Sequence, residues 1–274
     1  MKRISFAEVS IFLVKRIFNW RFWIVRLTKK SNLMKKVIDK IFFETDDVKI
    51  IPNTVAVNQK IESGGNEFLP TDVIKEVVKK SDDIVIMDSC LCRVSNKCED
   101  YPHDIGCMFL GPTSRKIPRS ICHTATVDEA LDHVDKADAA GLSHLIGRNK
   151  IDSLWMNVRP DKGLLTICHC CPCCCLWKIH PYLDEEISSK VTRLEGVSVK
   201  YNEEQCTNCK KCVINDVCMF NALTYENGRI NINQDNCLGC GLCANICKFG
   251  AITVDYTDKS IDNVINQVYN LIET

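Results

Sequence analysis

The chain has 274 residues, enough for one large domain or two ordinary ones, and its 35 basic and 35 acidic residues leave a net charge of zero that singles out no class of partner. The charge is unevenly placed: residues 1–40 hold 11 Lys/Arg against 2 Asp/Glu, nine positive charges in excess, so the remainder carries nine negative. Nineteen cysteines, an odd number and with no export signal ahead of them, argue against a closed disulfide framework; in a reducing compartment clustered thiols mean metal or redox chemistry.

Residues 4–27 read as one amphipathic helix or a broken helical pair, the core of a basic arm over 1–50. Glu8, Lys15, Asn19 and Arg26 form a narrow polar stripe on a 3.6-residue period, and nearly everything else is large and apolar, Phe12, Leu13, Trp20 and Trp23 among them. Lys15, Arg16, Arg21 and Arg26 make a bilayer span unfavourable. The pattern fits a helix lying in a membrane interface near anionic lipid. The alternatives are docking on a partner subunit and packing on the body of the same chain. These readings place the chain in the cytoplasm, with contact at the inner membrane face or within a complex through residues 1–45.

Residues 53–66 are loop-like, with a short strand expected at Val55 and Val57. Thr71 after Pro70 opens a helix over about 72–80, and "DIVIMD" (83–88) is a buried strand running into "SCLCR". Thr126 and Glu129 form a capping box for a helix of about 127–140 closed by Gly141, a strand near 142–146 follows, and "LLTIC" (164–168) is a strand running into "CHCCPCCC" (168–175). Strand, helix and strand in that order predict an α/β cysteine-rich domain over 51–197, with both cysteine clusters at the carboxyl ends of strands.

Residues 198–256 carry a duplication. Cys206, Cys209 and Cys212 recur 31 residues later as Cys237, Cys240 and Cys243, and each triplet is followed by a further cysteine, in "CMFNALT" (218–224) and "CKFGAIT" (247–253). A four-iron cube needs four thiolates; a Cys-x2-Cys-x2-Cys loop wraps three corners and a distant Cys closes the fourth. All-cysteine zinc sites are the alternative, although those usually pair two Cys-x2-Cys knuckles. Residues 257–274 complete the chain with an amphipathic helix expected to pack on the body.

This segment resembles the bacterial two-cluster 4Fe–4S ferredoxins, which implies an α+β ferredoxin-like domain. The resemblance assigns Cys206, Cys209, Cys212 and Cys247 to one cluster and Cys237, Cys240, Cys243 and Cys218 to the other, with Gly239 and Gly241 letting the backbone approach the sulfides. Two features depart from that pattern: the proline usual after the fourth cysteine is Met219 and Lys248, and five residues rather than three separate Cys212 from Cys218. Residues of about 68–256 also resemble an uncharacterised family of iron–sulfur proteins of anaerobes, through "CLCR" (90–93), "YPHDIGCMFLG" (101–111), the capped helix and the block at 168–175.

Six of the eight residues in that block are cysteine. Side chains alternate along an extended segment, so Cys170 and Cys171 should not serve one cluster, nor should Cys173 and Cys174. Cys168, Cys170, Cys171, Cys173, Cys174 and Cys175 are therefore expected to feed two sites, or one site plus free thiols, with Cys90, Cys92, Cys98 and Cys107 supplying the other ligands. At least one further Fe–S cluster is expected where the two strand ends meet, against a thiol–disulfide site, a larger multi-iron cluster or inert thiols. Arg93 would favour thiolates and a reduced, negative cluster, or else lies on the surface; His169 and His123 adjoin cysteines and would ligate iron or simply hydrogen-bond.

The reading that follows is an electron carrier relaying single electrons at low potential between two ferredoxin-type clusters and an N-terminal cluster, to or from a redox partner protein. The rivals are a reductase acting on a small substrate or disulfide at the N-terminal site, and a carrier that hands clusters on. No basic–aromatic patch suited to nucleic acid stands outside the arm, and no catalytic residue is assigned.

Overall fold

The protein is described by a computed structural model covering residues 6–53 and 70–256; the strand expected at Val55 and Val57 and the helix over 257–274 lie outside the described residues. The arm is a broken pair: α1 (Phe6–Ile17) and α2 (Arg21–Lys30) are joined by a single 3₁₀ turn at Phe18–Trp20. A third helix, α3 (Asn32–Phe42), has no counterpart in the sequence reading. Ser31 caps it, its hydroxyl accepting from Met34 N, and Met34, Ile38 and Phe42 recur at helical spacing on its inner side.

The body is one mixed sheet. Its elements in chain order are β1 (Asp47–Ile51), α4 (Pro70–Lys79), β2 (Ile84–Met87), α5 (Leu91–Ser95), β3 (Met108–Leu110), β4 (Cys122–Thr124), α6 (Val127–Ala139), β5 (Ser143–Arg148), α7 (Lys150–Met156), β6 (Leu165–Cys170), α8 (Glu185–Ser188) and β7 (Val191–Arg193). The strand order is β4-β2-β3-β6-β5-β1-β7. All neighbours pair antiparallel except β1 with β7. The parallel pairing usual in α/β sheets is therefore largely absent, because β3 inserts between β2 and β6. Those two strands still point the same way, and their carboxyl ends lie on one edge. The capping box of α6 forms as expected, with Thr126 and Glu129 each satisfying the other's backbone N–H.

Both faces of the sheet are covered, which is why β2 reads as an unbroken apolar run. Ile84 and Ile86 pack with Met108, Leu110 and Ile167 under α4 and α6. Val85 and Met87 face the other way, onto Phe109 and the arm residue Ile11. The arm is thus a layer of the fold. Ion pairs such as Lys150–Glu44 and Lys190–Asp39, both 2.6 Å, join it to the body, though solvent screens such exposed pairs. The larger contribution is burial of Ile11, Phe18, Val25 and Ile38, roughly 1.5–3 kcal/mol apiece. The outer face of the same helices stays open, with Trp20 and Trp23 63% and 64% exposed beside Phe12, Leu13 and Leu33. Among the described residues no helix is long and apolar enough to cross a membrane.

Residues 198–256 form two small two-stranded antiparallel sheets and two short helices: β8 (Ser198–Tyr201), α9 (Lys211–Ile214), β9 (Leu223–Glu226), β10 (Arg229–Ile232), α10 (Leu242–Ile246) and β11 (Ile252–Asp255). β8 pairs with β11, and β9 with β10. Each of these small sheets therefore takes one strand from each repeat. The apolar cluster under α4 and α6 continues into Val199, Ile252 and Val254, and Asn245 on α10 donates to Gly141 O at 3.1 Å.

Candidate metal centres

Antiparallel pairing of β2, β3 and β6 brings cysteines together that are far apart in sequence. Met87 N donates to Cys107 O at 2.9 Å. Continuing the β3–β6 register one pair past Met108 and Ile167 sets Cys107 opposite Cys168, and their sulfurs stand 3.3 Å apart. Cys170 lies two residues on, on the same face of β6, and meets Cys175 at 3.1 Å. Cys90 and Cys92, at the start of α5, are hydrogen-bonded to each other. Cys90, Cys92, Cys107, Cys168, Cys170 and Cys175 line one cavity on the arm side of the sheet, which Cys171 and His169 also border; Met87, Phe109, Trp155, Met156, Leu176 and Trp177 close it, and Arg93, Asn149 and Asp152 are its polar lining.

The electrostatics of this wall keep most of its thiols neutral unless a cation is bound. Neighbouring thiols and burial push Cys168 and Cys175 well above the ordinary thiol range. Cys92 is raised by its hydrogen bond to Cys90, whose own value falls to about 6, chiefly through that bond and with help from Arg93. Six thiols on one apolar wall are costly as thiolates unless a metal compensates them, and a metal inverts their protonation. The donor set therefore fits an iron–sulfur group.

Cys98, Cys173 and Cys174 lie outside this cavity, whereas Cys171 borders it and also joins them. Cys98, Cys171, Cys173 and Cys174 converge, their sulfurs all within 4.8 Å of one another. Cys170 and Cys171, expected to serve different sites, both border the cavity, and of the two Cys171 alone joins the quartet. The expected division of Cys173 from Cys174 does not hold, because residues 172–174 are a turn after β6 and strand alternation no longer applies. Cys122 stands alone, its thiol near the Ile117 and Pro118 carbonyls.

Arg93 is completely buried, contrary to the surface alternative. Its guanidinium donates to His169 O at 2.9 Å and to Ile105 O. Burial works to lower its pKa, but Cys90, Cys171 and Cys107 outweigh that and raise it. A second cation was not foreseen: Arg21 of the arm, its pKa lowered by burial, is stacked on Phe18 and Phe22 with Cys92, Cys175 and Cys174 in its field. Nothing in its sequence neighbourhood marks it, since its role depends on the arm folding back. His169 projects to the opposite face of β6 from Cys168 and Cys170. Its Nδ1 lies 2.9 Å from His144 Nδ1, and its ring packs edge-on against His133. His123 binds Asp88 at 2.9 Å. Both histidines thus have hydrogen-bond partners of their own away from the cavity.

In the C-terminal module two pockets form. One is lined by Cys206, Cys209, Cys212 and Cys247, the other by Cys218, Cys237, Cys240 and Cys243. Strand exchange between the repeats carries Cys218 and Cys247 across. Gly239 and Gly241 have φ of +68° and +76°, and the same left-handed turns recur 31 residues earlier at Asn208 and Lys210, φ +58° and +57°. The curl of the loop is therefore what the repeat preserves. Glycine adopts it without the penalty of a Cβ, and at Gly239 a Cβ would also lie 2.8 Å from Val197 Cγ1. Of these three pockets the N-terminal one is the largest.

A family profile for the 4Fe–4S binding domain matches residues 230–253. An uncharacterized ferredoxin of Methanocaldococcus jannaschii is 39% identical over 56 residues, 20% of this chain and 34% of that protein. The indolepyruvate oxidoreductase subunit IorA of Archaeoglobus fulgidus is 33% identical over 106 residues, 38% of this chain and 15% of its own length. An iron–sulfur protein of Rhodospirillum rubrum is 33% identical over 66 residues, 24% of this chain and 33% of that protein. The matched segment spans about a third or less of each of these relatives. No solved structure matches significantly. The chain carries a ferredoxin-like 4Fe–4S electron-transfer module, with additional cysteine sites in its N-terminal half.

Proposed function

We propose that the protein relays single electrons at low potential between two ferredoxin-type clusters and a further cluster held in the N-terminal cavity. The observation that carries this is the convergence of Cys90, Cys92, Cys107, Cys168, Cys170 and Cys175 on one enclosed apolar cavity larger than either ferredoxin pocket. In this reading Cys206, Cys209, Cys212 and Cys247 hold one cube, and Cys237, Cys240, Cys243 and Cys218 the other. A continuous apolar cluster supports the relay: Cys170, Cys175 and Trp177 pack with Met219, Phe220, Leu238 and Cys240. The wall of the cavity and the Cys218–Cys240 pocket thus share packed side chains. Arg93 and Arg21 favour the reduced, more negative state of whatever the cavity holds.

Anaerobically purified protein should contain roughly twelve acid-labile sulfides, four for each of three cubes. About eight would leave the cavity empty and overturn the reading. A second reading rests on a specific surplus: six thiols exceed the four that a cube requires. The spare thiols would then make the cavity a reductase site for a small substrate or disulfide, fed by the module. An EPR signal of the reduced protein that changes on adding a small thiol or disulfide would favour it.

Relatives named as oxidoreductase subunits support a redox partner protein. The arm's open face of Phe12, Leu13, Trp20, Trp23 and Leu33, flanked by Lys and Arg, supports contact with that partner or with the inner face of a membrane.

A further inference from the structure

The quartet Cys98, Cys171, Cys173 and Cys174 has a geometry unlike the other cysteine sets. We infer that it is a mononuclear site holding one thiophilic divalent ion, zinc or iron, in a tetrahedron of four thiolates, separate from every iron–sulfur cube in the chain.

Size carries the argument. A metal–sulfur bond of about 2.3 Å sets tetrahedral sulfur–sulfur edges of roughly 3.8 Å. Cys98–Cys173 and Cys173–Cys171 are both 3.5 Å, and all four sulfurs lie within 4.8 Å of one another. A cube puts a metal–metal edge between its thiolates and so holds them farther apart. The chain contains its own ruler for this. Among the described residues the quartet is the one set of three or more candidate ligands that lies so close, and neither ferredoxin set does. The cavity thiols touch in pairs but likewise form no such group.

The local structure is built to hold these sulfurs. Two loops deliver them: one cysteine follows α5, and three come from the Cys-Pro-Cys-Cys turn after β6, where proline sets the turn. Outer contacts fix both loops. His103 Nε2 bonds Cys98 O at 2.7 Å, Asn96 Nδ2 donates to Cys174 O at 3.3 Å, and Cys98 N donates to Arg93 O at 2.9 Å. Cys171 and Cys174 sit in an apolar cluster with Ile105, Ala137 and Leu142, while Cys173 is exposed. One edge of the site thus faces solvent. With zinc it would be a clasp pinning the α5 loop to the end of β6; with iron it would add a one-electron centre at the surface.

The test counts metal against sulfide in the full chain purified anaerobically. Cubes contain iron and sulfide in equal numbers, so total iron plus zinc minus acid-labile sulfide isolates mononuclear metal. The expected difference is one per chain, and elemental analysis says which metal it is. An absent cavity cluster lowers both counts equally and leaves the difference at one, so failure of the relay reading is distinguishable. In the Cys98→Ser/Cys173→Ser variant, both positions outside the fully buried core, the difference should fall to zero with sulfide unchanged. A difference of zero in the wild-type chain, or of one retained in the variant, overturns the assignment. Four sulfides lost with the metal would mean that the quartet holds a cube, and overturns it equally.

Discussion

Arg93→Met removes a charge that the fold has enclosed completely. The guanidinium bridges two backbone carbonyls, His169 O on β6 and Ile105 O in the segment before β3, and stands among Cys90, Cys107 and Cys171. Hydrogen bonds from a charged donor are worth about 1.5–3 kcal/mol each, so losing two costs roughly 3–6 kcal/mol. That agrees with the about 3–5 kcal/mol typical of removing one side of a buried ion pair, and it is a large share of the about 5–15 kcal/mol that holds a domain together. Lysine keeps the charge but presents one ammonium in place of a planar fork, so Arg93→Lys should fall between wild type and Arg93→Met. The assay is anaerobic guanidinium unfolding, followed by far-ultraviolet circular dichroism and by loss of visible cluster absorption. The midpoint for Arg93→Met should drop by on the order of 1 M, with N-terminal cluster lost before ferredoxin cluster. A midpoint and cluster content equal to wild type would refute the view that Arg93 ties the two strand ends together.

Four further outcomes are expected. Gly106→Ala would put a Cβ 2.2 Å from Met87 O beside Cys107, where backbone cannot yield, while Gly228→Ala at φ +84° meets nothing within 4 Å; thermal melts should show the first losing roughly 1–3 kcal/mol and the second about 1–2 kcal/mol from backbone strain alone. Cys218→Ser should alter the EPR signal of the cluster at Cys237, Cys240 and Cys243 and spare the one at Cys206, Cys209 and Cys212; the reverse result would reject the crossed assignment. Burial raises Asp46 to about 7 from 3.8, reinforced by Asp152 and Asp39 and opposed by Lys190 and by its bond from Lys150 N. The folded state then favours the protonated acid, so the contribution of Asp46 to stability is full below about pH 4 and is lost as pH rises to about 7; Asp46→Asn should make the fall in unfolding free energy between pH 4 and 7 shallower, and an unchanged slope would exclude Asp46 as a source. For the arm, Trp20→Ala/Trp23→Ala should reduce sedimentation with anionic vesicles several-fold if its open face meets lipid, and equal binding by both forms would leave a partner subunit as its target.

Short-range spacing was legible in the sequence, and it settled the chemistry. The 31-residue repeat of Cys206, Cys209 and Cys212 identifies the ferredoxin module because a cluster loop is local: three ligands and the left-handed turns between them sit within a few residues. The ends of β2 and β6 were legible for the same reason, an apolar run stopping at a cysteine. Ser31 capping α3 and the Val48, Ile50 and Ile51 pattern of β1 are local signals of the same kind. What the chain could not reveal locally is which loops meet. That follows from long-range pairings: β3 inserting between β2 and β6, which sets Cys107 against Cys168, and the arm folding back to bring Arg21 to Cys92 and Cys175. Strand alternation distinguishes Cys170, outside the quartet, from Cys171, within it, although both border the cavity; it does not hold at Cys173 and Cys174, because the chain leaves the strand there and a turn aims successive side chains at one point. Residue types determined that this protein binds metal through thiolates. Tertiary structure alone decided how those thiolates are shared out, since the number of metals a sulfur can serve depends on distances between segments remote in sequence.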